Sequence, residues 1–336
     1  MTKNTATTTT PAVEVTHLLK RYRGKPDPAV DDISLTVAAG EIFGIIGPNG
    51  AGKTSTVECI AGLRDPDMGT VKVLGLDPRT DKDEIHQVLG VQLQESQFPD
   101  RVTVAEILDL YSSFYRNPAD WRELMELVGL TDRARTRYQN LSGGQKQRLS
   151  IALALVGGPK VAILDELTTG LDPQARRDTW GLIETVRDAG VTILLVTHFM
   201  DEAEGLCDRI AVIDNGRVVA VDTPERLVAR VRPTQQVRFR LVAGLGRAAG
   251  QDAANGIDPR LFSELPGITD VQVDNGQWTV NGTGEVLGTV AGALARHGLV
   301  AGGLRSDDFS LDDAFVAYTG RSAIRTDDSN HKENAS

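Results

Sequence analysis

Gly47-Pro48-Asn49-Gly50-Ala51-Gly52-Lys53-Thr54 fits the pattern Gly-x-x-x-x-Gly-Lys-Ser/Thr. Glycines at those positions let backbone N–H groups curl around phosphate oxygens with no Cβ in the way. The apolar run Glu41-Ile-Phe-Gly-Ile-Ile46 precedes the loop and a helical stretch, Thr54 to Leu63, follows it. A helix N-terminus there adds the positive end of its dipole. Lys53 has the reach to meet β- and γ-phosphates, and the Thr54 hydroxyl can ligate a divalent cation. The spacing predicts a nucleoside-triphosphate site and nothing narrower.

Val161-Ala-Ile-Leu-Asp165-Glu166 is an apolar strand ending in two acids. Burying adjacent carboxylates is costly unless a cation compensates them, and Mg²⁺ carried by ATP is the natural compensator. Asp165 is then expected to hold the metal, directly or through water. Glu166 is expected to face the attacking water as general base or orienting group. A solvated turn at the strand end is the competing account, and these residues alone leave both open.

Leu141-Ser142-Gly143-Gly144-Gln145-Lys-Gln-Arg148 is a second glycine turn leading into a helical stretch, Gln145 to Val156. It is another helix N-terminus suited to an anion. The chain thus carries two phosphate-binding devices and one set of partner carboxylates. Here it resembles the ATP-binding cassette family, whose signature is LSGGQ. The resemblance implies a head-to-tail dimer in which Ser142, Gly143, Gly144 and Gln145 of one copy close over the γ-phosphate held by the other. It implies ATP contacts from Gly47, Pro48, Asn49, Gly50, Ala51, Gly52, Lys53, Thr54 and Ser55. Tyr22 stands where the family stacks an aromatic on adenine. Gln94, in Gly90-Val-Gln-Leu-Gln94, matches the glutamine that touches Mg²⁺ and water, with Gln92 a rival two residues earlier. The implied metal set is Thr54, Gln94 and Asp165. Gly170-Leu-Asp172 resembles the loop that crosses to the other subunit. His198, in Thr-His-x-x-x-Glu-Ala, matches the histidine that holds the γ-phosphate and the catalytic glutamate, so the implied catalytic pair is Glu166 and His198. One departure is visible: Leu167 stands where the family usually has proline. It leaves every catalytic group in place. The resemblance covers about Val13 to Leu227.

Several elements must position these residues. From Val13 to about Arg230 short apolar strands alternate with helical patterns, as in Val161–Leu164 and Val191–Val196. Continuous apolar runs of this kind predict strands buried on both faces of a parallel sheet. Val104 to Tyr115 places Ile107, Leu108, Tyr111, Phe114 and Tyr115 on one helical face. Asp214-Asn-Gly216 between apolar runs predicts a hairpin. After Val231 the texture changes. A Gly/Ala-rich stretch, Ala243 to Gly256, leads to a second Asn-Gly hairpin within Val271–Val280 and a helix aligning Val286, Leu287, Val290 and Leu294. Strand, helix, strand, strand, helix, strand from Gln236 fits a split βαβ or ferredoxin-like unit. The expected fold class is α/β: a P-loop NTPase with a RecA-like core, an antiparallel β-subdomain and a helical subdomain, plus a small α+β C-terminal domain. Expected boundaries are a disordered tail at 1–12, the cassette at 13–231 with its helical subdomain at about 95–155, the accessory domain at 232–320, and a disordered tail at 321–336.

Composition excludes other classes. The formal net charge of -10 argues against a nucleic-acid partner, whose binding depends on attraction to phosphates. The two cysteines, Cys59 and Cys207, lie far apart in apolar stretches, so neither a disulfide framework nor a zinc site is expected. The opening MTKNTATTTTP lacks the apolar core of a signal peptide. No run approaches the roughly 18 apolar residues of a membrane helix. Phe309-Ser-Leu-Asp-Asp-Ala-Phe-Val-Ala-Tyr-Thr-Gly320 is similar to the ending of drug-exporter and daunorubicin-resistance-type ATPases, although an ordinary terminal amphipathic helix would also account for it. That resemblance implies a separate six-helix permease of the ABC-2 type as partner, docked near Gln94. It also implies ATP-driven export and a peripheral place on the cytoplasmic face of the membrane. The alternatives are an importer ATPase with a regulatory C-terminal domain, or a soluble cassette ATPase acting on ribosomes or DNA. The interval from Lys53 to Leu141 is too short for the coiled coil of the DNA-acting type.

Overall fold

The unbroken apolar runs become the middle of a sheet. The computed structural model describes residues 10–93, 98–231, 235–242, 257–307 and 309–320. Gln94, the Ala243–Gly256 stretch, the C-terminal tail and most of the N-terminal one lie outside those residues. The chain divides into two compact units, with the division between Pro224 and Glu225; the first unit resumes at Tyr318.

In chain order the first unit holds β1 (Val13–Lys20), β2 (Val30–Val37), β3 (Ile42–Ile46), α1 (Lys53–Ile60), β4 (Met68–Val73), α2 (Lys82–Val88) and β5 (Leu89–Gln92). Then come α3 (Val104–Ser112), α4 (Trp121–Leu127), α5 (Gly143–Leu155), β6 (Val161–Asp165), α6 (Pro173–Asp188), β7 (Thr192–Val196), α7 (Met200–Leu206), β8 (Arg209–Asp214) and β9 (Arg217–Asp222). The main sheet has the order β5-β6-β7-β3-β8-β9, parallel except for β9. Every residue of β3, β6 and β7 is buried, because helices and a second sheet leave no face for polar alternation. Ile45 and Asp165 both pair with Val196. The loops leaving β3, β6 and β7 therefore start at one level, on neighbouring strands about 4.8 Å apart. This carboxyl edge is where open parallel sheets gather ligands.

A second, antiparallel sheet of order β2-β1-β4 carries Tyr22 just beyond β1. Helices α3, α4 and α5 pack on one another, and α5 packs on β5. A capping box between Thr103 and Glu106 starts α3. That helix stops at Ser112, short of the predicted Tyr115. The hydroxyls of Ser112 and Ser113 donate to the carbonyls of Leu108 and Leu110, competing with further helix. Ile107 and Leu108 are buried as predicted, but Phe114 is 63% exposed. The β8–β9 hairpin turns on Asn215 and Gly216, both at positive φ, with Asp214 opposite Arg217, the geometry Asn-Gly favours.

The second unit, Glu225–Ala317, holds α8 (Pro224–Val231) from its second residue, β10 (Gln235–Val242), α9 (Arg260–Ser263), β11 (Ile268–Asp274), β12 (Gln277–Gly282), α10 (Val286–Arg296), β13 (Val300–Asp307) and α11 (Leu311–Thr319) up to Ala317. Its antiparallel sheet has the order β11-β12-β10-β13, the strand order of the ferredoxin-like unit predicted. Alternation drives it. Val237 and Phe239 sit opposite Val280 and Trp278, and all four join Phe262, Val286 and Val290 in a core. Leu287, expected on that face, is 37% exposed, and Ala293 is buried with Val290 and Leu294 instead. A residue next to Val286 is turned about 100° around the helix from it. Ser310 caps α11: its hydroxyl accepts from the Asp313 N–H (3.3 Å), and the Asp313 carboxylate accepts from the Ser310 N–H (3.1 Å). The Ser-Leu-Asp-Asp run is thus a capping box. Both cysteines are buried and unpaired. No helix among the described residues is long and apolar enough to cross a membrane.

Candidate nucleotide-binding site

The loop between β3 and α1 lies tight against its neighbours. A Cβ at Gly47 would sit 2.2 Å from the carbonyl oxygen of Ile213, and one at Gly52 equally close to that of Ala29. Gly52 also has φ of 105°, in the left-handed region. Only glycine fits either place. Lys53 opens α1 and is 6% exposed; its Nζ donates to the carbonyls of Gly47 (2.8 Å) and Pro48 (3.3 Å). Burial lowers its pKa, while the charges of Glu166 and Asp165 pull it back up.

The two carboxylates differ in their surroundings. Asp165 ends β6 at 2% exposure. Burial, and then the adjacent Glu166 charge, raise its pKa to about 6 against the pull of Lys53. Glu166 leaves the strand at φ 49°, left-handed for a non-glycine residue. Its N–H donates to the Val196 carbonyl at 2.9 Å, tying it to the end of β7. Its Oε1 lies 3.4 Å from Nδ1 of His198. The Tyr22 hydroxyl is bonded to that of Ser55 at 3.0 Å, and the Arg64 guanidinium lies 5.4 Å from the Tyr22 ring centre. Leu167 is fully buried, so leucine at the family's proline position adds to the core.

Tyr22, Asn49, Gly50, Gly52, Lys53, Thr54, Ser55, Glu166 and His198 line one cleft of about 440 Å³. The residues expected to stack on adenine, bind phosphate and polarise water thus line one volume. Lys25 and Ala29 line it too. Nothing in the spacing pointed to them, since no rule marks a lysine in the turn after Tyr22. No group of three or more His, Cys, Asp or Glu among the described residues could hold a metal. A cation held here would draw on the oxygens of a bound phosphate as well, which is how Mg²⁺ is usually held. The oxygens of Thr54 and Asp165 suit it. Gln92 is 5% exposed; its Oε1 accepts from the Asp165 N–H (3.3 Å) and its Nε2 donates to the Leu93 carbonyl (2.7 Å). Both ends of that amide are engaged within the fold. Gln94 lies outside the described residues.

The signature residues are placed differently. Ser142 caps α5, accepting from the Gln145 N–H (3.3 Å), while the Gln145 side chain accepts from the Ser142 N–H (3.0 Å). This capping box starts the helix at Gly143, two residues before the predicted Gln145. Ser142 and Gly143 are exposed, and a Cβ at Gly143 would meet nothing within 4 Å. Packing within this chain does not require that glycine. Asp172, also exposed, caps α6 by accepting from the N–H groups of Gln174 (3.0 Å) and Ala175 (2.9 Å). Neither Ser142–Gln145 nor Asp172 lines the cleft of its own chain.

Comparison with known proteins bears on this arrangement. Residues 30–169 match the family described as ABC transporter. The chain is 35% identical to the daunorubicin/doxorubicin resistance ATP-binding protein DrrA of Streptomyces peucetius, over 94% of both chains. It is 40% identical to the Nod factor export ATP-binding protein I of Rhizobium johnstonii, over 65% of this chain and 71% of that one. Among solved structures it is similar to an ATP-binding cassette in a dimeric, post-hydrolysis state bound to ADP and Pi: TM-score 0.57, 25% identity, 63% of this chain and 98% of that one. The chain belongs to the ATP-binding proteins of the ABC transporter family, ATPases coupled to transport.

Proposed function

We propose that two copies of this chain bind two ATP molecules head to tail and drive export of an amphiphile or drug through a separate ABC-2 type permease. One observation carries the reading. The chain holds two helix N-termini built for phosphate, and only one of them faces the cleft that contains Lys53, Glu166 and His198. The other, at Ser142–Gly144, is exposed, with open space above Gly143. A second copy supplies what each lacks. The relative named for daunorubicin and doxorubicin resistance matches through the second unit as well as the first, which favours export.

In each composite site the loop from Gly47 to Ser55 holds the triphosphate and Tyr22 stacks on adenine. Ser142, Gly143, Gly144 and Gln145 of the other copy approach the γ-phosphate, with Asp172 beside them. Thr54, Asp165 and Gln94 would hold Mg²⁺, which supplies neutralisation of charge between the β- and γ-phosphates. Glu166 orients and polarises the attacking water, and His198 holds Glu166 and the γ-phosphate in line. Phosphate departure removes the charge shared by the two N-termini, and the copies part. The permease, docked near Gln94 on the cytoplasmic face of the membrane, takes up that motion.

Glu166→Gln tests this. With ATP and Mg²⁺ it should stop hydrolysis, leave nucleotide binding intact and accumulate a dimer in sedimentation velocity, while wild type with ADP stays monomeric. Wild-type turnover in that variant would remove Glu166 from the mechanism. A chain that binds ATP and remains monomeric, even beside its permease, would remove the composite site.

A further inference from the structure

Behind the cleft lies a carboxylate with no part in that scheme. Glu202, in the first turn of α7, is fully buried. Its Oε1 accepts from the indole Nε1 of Trp180 on α6 at 3.2 Å. Burial raises its pKa, and the hydroxyls of Thr197 and Thr168, with the Trp180 N–H, act against that rise. Thr197 immediately precedes His198, and Thr168 follows Glu166 by two residues. Both threonines are fully buried. Yet Glu202 Oε2 and Thr168 Oγ1 each lack a bond of good geometry.

The helices on either side of this carboxylate are joined by further contacts. Arg176, one turn before Trp180 on α6, lies 4.1 Å from the centre of the Phe199 ring and bonds Asp201 at 3.2 Å. The Phe199 ring in turn lies 4.1 Å from that of His198. Helix α6, capped by Asp172, and helix α7, which begins just after His198, are therefore joined through Arg176 as well as through Glu202.

We infer that Glu202 is a positioning residue: it joins the loop bearing Glu166 to the loop bearing His198 and so fixes the contact between those two side chains. It touches neither substrate nor water. Its bond from Trp180 anchors α7 to α6, and the two buried threonines beside it belong to the loops that carry Glu166 and His198. The inference rests on the roles proposed for Glu166 and His198.

The full chain is assayed for phosphate release at saturating ATP and Mg²⁺, with nucleotide affinity measured separately. Glu202→Ala should lower kcat by about tenfold or more, since small displacements of a reacting constellation are that costly, with ATP affinity within about threefold of wild type. Glu202→Gln, which keeps the acceptor for Trp180, should restore most of the rate. Adding Glu202→Ala to His198→Ala should cost nothing further, because both remove one contact. Should Glu202→Ala fail to fold, Trp180→Phe replaces it: it keeps an aromatic ring and removes the donor, and should lower kcat by about fivefold with the same lack of additivity. Wild-type kcat in the folded variant, or a loss that adds fully to that of His198→Ala, overturns the inference. Glu166→Gln and His198→Ala run alongside: if neither slows hydrolysis, the reading of the cleft fails; if both do and Glu202→Ala does not, only the role of Glu202 fails.

Discussion

At the scale of the residue, Asp165 shows how a site can oppose the stability of its own fold. Its carboxyl is nearly inaccessible and its pKa is raised to about 6. The native state therefore binds this proton more tightly than the unfolded chain, where the value lies near 3.9. Ionisation then costs nothing below about pH 4, a growing amount between pH 4 and about 6, and its full amount above. Asp165→Asn should accordingly stabilise the nucleotide-free chain at pH 7.5 by on the order of 2 kcal/mol. That gain should shrink to nothing near pH 4. Urea midpoints of the two proteins across that range provide the check, and a gap that does not change with pH would contradict the assignment. The sequence announced the tension, because two adjacent acids close an apolar strand. It could not rank them. Asp165 is enclosed by β5, β6 and β7, while Glu166, turned by its positive φ, points at His198.

At the scale of the element, the N-terminus of α5 separates folding from function. Gly143 is the first residue of that helix, and among the described residues nothing lies within 4 Å of where its Cβ would be. Gly143→Asp puts a better helix former and a favourable charge at the positive end of the dipole, so stability should hold or rise by about 0.5–1 kcal/mol. Across the proposed dimer the same carboxylate would face the γ-phosphate. Hydrolysis should fall by about a hundredfold or more, since two like charges close together in a partly dry site repel by several kcal/mol. Nucleotide affinity of the isolated copy should stay within about twofold, because Gly143 does not line its cleft. Thermal unfolding, phosphate release and nucleotide titration together test this, and an active variant would count against the composite site. The glycine turn was legible at once as a helix N-terminus. Its exposure was not. The helix boundaries also shifted: Ser142 brought α5 forward, and the serine hydroxyls ended α3 early, both being local bonds that hydrophobic periodicity does not register.

At the scale of the whole molecule, the two units bury separate sets of side chains. Trp278, 1% exposed, stacks on Phe239 and meets Phe262 edge-on at the centre of the second. Trp278→Ala should cost that unit about 3–5 kcal/mol. Amide exchange should speed up through β10 and β12 while β3, β6 and β7 keep their protection; equal loss in both sets would show that the two cores unfold as one. The amino-acid sequence by itself determined the chemistry and the class of each unit. Phosphate loops, caps and Asn-Gly turns are written in contiguous residues, and burial on one or both faces of a sheet imposes its own periodicity. Only the tertiary structure decided which distant residues meet. Val196 stands level with both Ile45 and Asp165, which brings Lys53, Glu166 and His198 to one edge and leaves Ser142 outside. Strand order and register come from packing that residues far apart in the chain must satisfy together, and Glu202, buried between two loops, acquires its partners only when that packing is complete.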